Sequence, residues 1–162
     1  MSIIPGKVYT LIEKRLRQRW TAMPRALRAL ESARDRAAGI GSPGIGGSMG
    51  DKSKPASSRV EKAAILVASA EEYVQELEKW EDVFKQVDSY FPPDKSSEGF
   101  VASLMYGNGM SQEDVCRFTN CARQTVRRQR DRYINYIALL AARRGLIREE
   151  DMVADGQADP EE

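Results

Sequence analysis

The chain has 162 residues, 41% of them hydrophobic and 30% charged, a balance that suits a globular or coiled-coil protein and excludes a disordered one. Its net charge of +1 hides strong segregation, because residues 1–38 carry nine basic and three acidic side chains while 148–162 carry one and seven. No apolar run approaches the ~18 residues of a membrane span and no signal-peptide pattern opens the chain, so we expect no membrane partner and a cytoplasmic location.

Residues 5–38 read as a basic amphipathic helix. Tyr9, Ile12, Leu16, Trp20, Met23, Leu27 and Leu30 step by three or four, leaving Lys14, Arg15, Arg17, Arg19, Arg25 and Arg28 outside. Pro24 lies mid-pattern, where a straight helix loses ~3 kcal/mol or more. The sequence therefore predicts a kink there, or two shorter helices meeting at Thr21 to Pro24. Residues 39–57 form a Gly/Ser/Pro linker. Gly39, Gly41 and Gly44 spell a dinucleotide fingerprint, but they follow a helix instead of a strand and Pro43 interrupts them, so no nucleotide cofactor is expected.

Residues 58–90 read as an acidic heptad helix. Ser58-Arg59-Val60-Glu61 has the form of a capping box. Val60, Ala63, Val67, Ala70, Val74, Leu77 and Phe84 make an a/d stripe that Glu81 interrupts. A basic helix and an acidic one suggest an antiparallel long-helix hairpin within one chain. Self-association of the second helix, giving a homo-oligomer, is the competing assignment. Phe91-Pro92-Pro93 ends this helix, since a residue before proline avoids the helical region.

Residues 97–147 carry the sharpest signal. Ser97 is placed to cap a helix bearing Phe100, Val101, Leu104, Met105 and Tyr106, and Gly107-Asn108-Gly109 turns the chain. Ser111 then caps a short helix with Glu113 and Asp114 in its first turn, where the dipole favours acid. Val115, Cys116 and Phe118 give it an inward face, and Asn120 is the residue best able to take a left-handed turn. A long helix follows, with Val126, Tyr133, Ile137 and Leu140 turned inward. It runs to about Arg144, where Gly145 ends it. Its other face carries Arg123, Gln124, Arg127, Arg128, Arg130 and Arg132, and with Arg117 and Thr125 these are the candidate DNA-binding residues. These residue types suit a major groove, with Arg matched to guanine or phosphate and Gln to adenine. The expected fold class is thus all-α: a long-helix hairpin followed by a helix-turn-helix domain. Residues 148–162 read as a disordered acidic tail.

With no histidine in the chain, Cys116 and Cys121 lack the partners for a zinc site and read as buried free thiols. No nucleophile sits beside a base, and no paired carboxylates mark a cleft. Catalytic residues, metals and cofactors are therefore not expected, and neither is an enzymatic activity.

The arrangement over roughly residues 5 to 147 resembles the phage-encoded late-gene transcription activators of the RinA and ArpU type. The resemblance rests on Tyr9, Asp51-Lys52, and Arg59-Val-Glu-Lys-Ala-Ala. It also rests on a unit similar to sigma factor region 4, from Val101 to Val115 and from Phe118 to Val126. Thr119, Arg123, Thr125 and Val126 match the family's Leu-Thr-Gly-(aliphatic)-Ser-Arg-x-Thr-Val pattern. Asn120 departs at the turn glycine, Ala122 at the capping serine, and Met105 at a common arginine. The resemblance implies a sequence-specific DNA-binding activator of phage or prophage genes that works with RNA polymerase. Arg123, Gln124, Arg127 and Arg128 would read bases or adjacent phosphates, with Arg117, Arg130 and Arg132 on the backbone of the duplex. A small terminase-like packaging subunit is the alternative, as is a sigma-like module that docks on polymerase without binding DNA itself.

Overall fold

The computed structural model describes residues 4–40 and 56–153, and every regular element in them is helical. The fold is all-α. α1 spans Gly6–Ile40, α2 Ala56–Tyr90 and α3 Ser97–Ala102. A π-helical segment, Ser103–Gly107, follows directly; then come α4 (Gln112–Thr119), α5 (Arg123–Arg143) and α6 (Glu149–Met152). Among the described residues, the chain up to Arg19 and from Lys79 onward clusters as one compact unit, and Trp20 to Glu78 as a second.

The first unit holds the larger core. Val8, Ile12 and Leu16 of α1 are buried with Trp80, Val83, Phe84 and Val87 of α2, and with Tyr133, Ile134 and Ile137 of α5. Each such aliphatic side chain contributes about 1.5–3 kcal/mol on burial. Glu81, the break in the heptad stripe, has a specific partner here. Arg19 Nε and Nη2 donate to its two carboxylate oxygens at 3.0 Å each, while Nη1 donates to Asp88 Oδ2 at 2.8 Å. The Arg19 side chain is only 10% exposed. Burial alone would lower its pKa, but the hydrogen bonds it donates to Glu81 and Asp88 raise it.

In the second unit Ala26 and Leu30 of α1 are buried with Val74 and Leu77 of α2, and Arg34 Nη2 meets Glu71 Oε1 at 2.8 Å. Within each unit, then, opposite charges of α1 and α2 meet in the chain itself. The stripe expected on α1 is corrected at two places, since Trp20 is 64% exposed and Leu27 50%. The inward positions step from the half-buried Met23 to the buried Ala26 and Leu30, so a small residue takes the inward place beside which the larger one had been expected.

Several local expectations also change. α1 is one helix through Pro24, not two meeting there. The proline ring removes one hydrogen-bond donor, and the turns on either side hold the helical path. Ser58 lies inside α2, which starts at Ala56, so it does not cap it. Val60, the first position of the seam, is 56% exposed. The cap of α3 is Ser96, whose Oγ accepts from the Gly99 N–H, with Ser97 already helical. Most of the linker, residues 41–55, lies outside the described residues. So does the end of the acidic tail from residue 154, but the tail's first part forms α6, and Asp151 Oδ1 lies 3.1 Å from Lys7 Nζ.

Candidate functional site

A second, smaller core joins α3, the π-helical segment, α4 and α5. Val101, Leu104, Val115 and Val126 are buried in it, with Met105, Met110, Cys116 and Cys121 packed against them. Both cysteines are free and half-buried instead of fully buried. Gly99 is required where α3 passes the preceding chain, because a Cβ there would meet the Phe91 carbonyl oxygen at 2.0 Å. Phe118 does not join this core: it is 65% exposed, its ring centroid 6.3 Å from that of Phe100. An eight-residue helix has room for one inward column, and Val115 occupies it.

The turn between α4 and α5 has a local cause at each step. Ser111 Oγ accepts from the Asp114 N–H at 3.2 Å and donates to its carboxylate at 2.6 Å. That hydroxyl, first among the causes, holds the Asp114 carboxyl below the usual range. Asn120 adopts the left-handed conformation (φ 53°, ψ 36°) that ends α4. Ala122 stands at the cap of α5 with extended backbone and no side-chain hydrogen bond. Gln112 crosses the turn, its Nε2 donating to the Arg123 carbonyl at 3.2 Å, which ties α4 to α5 but supplies no acceptor to the first N–H groups of α5.

The arginines sort into distinct environments. Arg123, Gln124, Arg127 and Arg128 are all exposed. At about 100° per residue they share one arc of roughly 140° on the first two turns of α5. Thr125 is half-buried beside the buried Val126. Among the described residues Arg123 and Arg128 have no ion pair, whereas Arg127 Nε lies 3.8 Å from Asp131 Oδ2 with its side chain 65% exposed. A cleft of about 500 Å³ is lined by Gln112, Arg123, Gln124, Arg127 and Arg130.

The three arginines expected on the duplex backbone occupy three different environments. Arg130 is turned inward, its side chain 17% exposed and its Nη2 3.2 Å from Asp131 Oδ1. Its guanidinium lies 5.5 Å from the centre of the Tyr9 ring, within cation–π range. Burial would lower its pKa, but the neighbouring Tyr9, Tyr106 and Asp131 raise it. Arg132 Nη1 is 3.2 Å from Glu98 Oε1. Burial pushes the Glu98 carboxyl up, but its own backbone N–H, the Ser97 hydroxyl and Arg132 together hold it below the ordinary value. Arg117 Nη1 reaches Asp114 only at 3.9 Å and its side chain stays 80% exposed.

Asp131 is the residue that sequence reasoning missed. It is 5% exposed, and it accepts from the Tyr9 hydroxyl at 2.8 Å as well as from Arg130. An acid four places after Arg127, inside a run of arginines, is the local signal that could have found it. Among the described residues no group of three metal-ligating side chains could hold an ion, and no helix is long and apolar enough to cross a membrane. Comparison of the chain with protein-family models, curated proteins and solved structures finds no match.

Proposed function

We propose that the chain is a sequence-specific DNA-binding regulator of transcription that places the first two turns of α5 in a major groove. The observation that carries this reading is the exposed arc of Arg123, Gln124, Arg127 and Arg128, which begins directly after α4 and its left-handed turn at Asn120. Early positions of a helix in this place reach base edges, and guanidinium and amide groups match the acceptors and donors found there. Asp131 lies behind the arc, its Oδ2 3.8 Å from Arg127 Nε. Arg117, on α4, is free to meet the sugar–phosphate backbone. Arg132 acts mainly as a support in this reading, because Glu98 already engages it, while Arg130, held by Asp131, lies beside the arc.

The resemblance of Phe118 to Val126 to the RinA and ArpU activators adds the finer part of the proposal: phage or prophage late genes, with RNA polymerase as a second partner. The test is binding to the promoter-proximal DNA of the chain's own gene cluster, against scrambled DNA, over a series of salt concentrations. Arg127→Ala costs ~1–3 kcal/mol on the specific site alone if Arg127 reads a base, and weakens all sequences alike if it meets phosphate. Absence of any DNA affinity at low salt ends the proposal.

A further inference from the structure

We infer that Arg17 of α1 is a DNA-binding residue, and that the cleft it shares with Arg130 seats a phosphate group of the strand lying on α5. The inference rests on the DNA-binding reading above and extends its site to an element outside the small α4–α5 unit. The cleft has a volume of about 560 Å³, and Arg17, Arg130, Tyr106, Ser111 and Gln112 are among its lining residues. Two arginines and no acidic residue line this space. Such a lining selects an anion, and guanidinium N–H pairs match the oxygens of a phosphate.

Three further contacts define the position. Tyr106 donates to Glu13 Oε1 at 2.8 Å, which holds this face of α1 against the π-helical segment. Arg17 is one turn beyond Glu13, on the same side of the helix, and is exposed. Arg130 is already held by Asp131 and by the Tyr9 ring, so little of its freedom remains to be lost on binding an anion. Gln112 and Arg130 also line the cleft beneath Arg123, Gln124 and Arg127. The two clefts therefore adjoin, and a strand that meets the arc on α5 has a cationic path onward to Arg17. A contact of this kind carries no sequence information.

The experiment uses the full chain and measures affinity for its specific DNA and for scrambled DNA across a salt series, in wild type, R17A, R17K, R17E and R127A. Arg17 is an exposed helical position, so these variants keep the fold, checked by circular dichroism. The expected result is that R17A weakens both DNAs equally, by roughly three- to tenfold, and lowers the salt slope by about one. R17K retains most of the affinity and R17E loses more than R17A. If R17A matches wild type on both DNAs while R127A binds worse, the inference is overturned and the DNA-binding reading stands. If R17A weakens the specific DNA alone, the backbone assignment is overturned. If wild type binds neither DNA, both fall. Inorganic phosphate that shifts the Arg17 side-chain resonances in that last case assigns the cleft to a free anion instead.

Discussion

The Tyr9 hydroxyl donates to Asp131 Oδ1 at 2.8 Å, joining two residues 122 positions apart. The bond ties the first turn of α1 to the middle of α5, and the same oxygen accepts from Arg130. A carboxylate that is 5% exposed is stable only because it is paired in this way. Through it, the register of α1 along α5 sets where Arg130, and beside it Arg127, can point.

Removing the two ends of this bond should therefore have unequal effects. Tyr9→Phe leaves Asp131 its arginine partners and costs about 1–2 kcal/mol. Asp131→Ala leaves Arg130 and the Tyr9 hydroxyl unpaired together and costs about 3–5 kcal/mol. Urea denaturation of the full chain followed by circular dichroism measures both. Equal losses in the two variants contradict the pairing described here.

Alkali should unfold the first unit. Burial, and then hydrogen bonds to Asp131, Glu13 and Asp88 respectively, raise the pKa values of Tyr9, Tyr106 and Tyr133 above the ordinary phenol value. The folded state keeps these protons at pH values where an unfolded phenol, with a pKa of about 10, releases them. Their stabilisation is thus complete below pH ~10 and declines as the pH climbs beyond it. In a titration of tyrosine absorbance, part of the change should appear only together with unfolding. Y9F, Y106F and Y133F should each remove a share of that late step.

The helix caps on either side of the α4–α5 turn invite opposite substitutions. Ser111→Ala removes the acceptor of the Asp114 N–H and should lower stability by ~1 kcal/mol. Ala122→Ser supplies the side-chain acceptor that the start of α5 lacks, on backbone already extended at φ −63°, ψ 145°. It should raise stability by about 0.5–1 kcal/mol. An A122S protein that melts no higher than wild type contradicts the missing cap described here.

Arg19 is a site where charge alone is insufficient. Its planar group reaches Glu81 through two nitrogens and Asp88 through the third. Arg19→Lys keeps the charge but cannot make that fork, and should cost ~1–3 kcal/mol. A double-mutant cycle between R19A and E81A should return a coupling of at least ~0.5 kcal/mol. A coupling near zero contradicts the fork described here.

What the sequence determined lies within a few residues of its own signal. Ser111, Asn120 and Gly145 mark the start of α4, its end and the end of α5, because each acts on backbone groups one turn away. Gly145, at φ 70°, closes α5 with bonds from its own N–H to the Ala142 carbonyl and from the Leu146 N–H to the Ala141 carbonyl. All-helical structure and the exposed arginine arc follow from the same short-range logic of periodicity and caps. The tertiary structure alone decided which of several near-equivalent stripes is buried. Trp20, Leu27 and Phe118 face outward, while Arg19, Arg130 and Asp131 turn inward. Those outcomes depend on partners between 62 and 122 positions away, such as Glu81 for Arg19 and Tyr9 for Asp131. A polar side chain is buried only where a distant partner satisfies it, and no spacing along the chain records that distance.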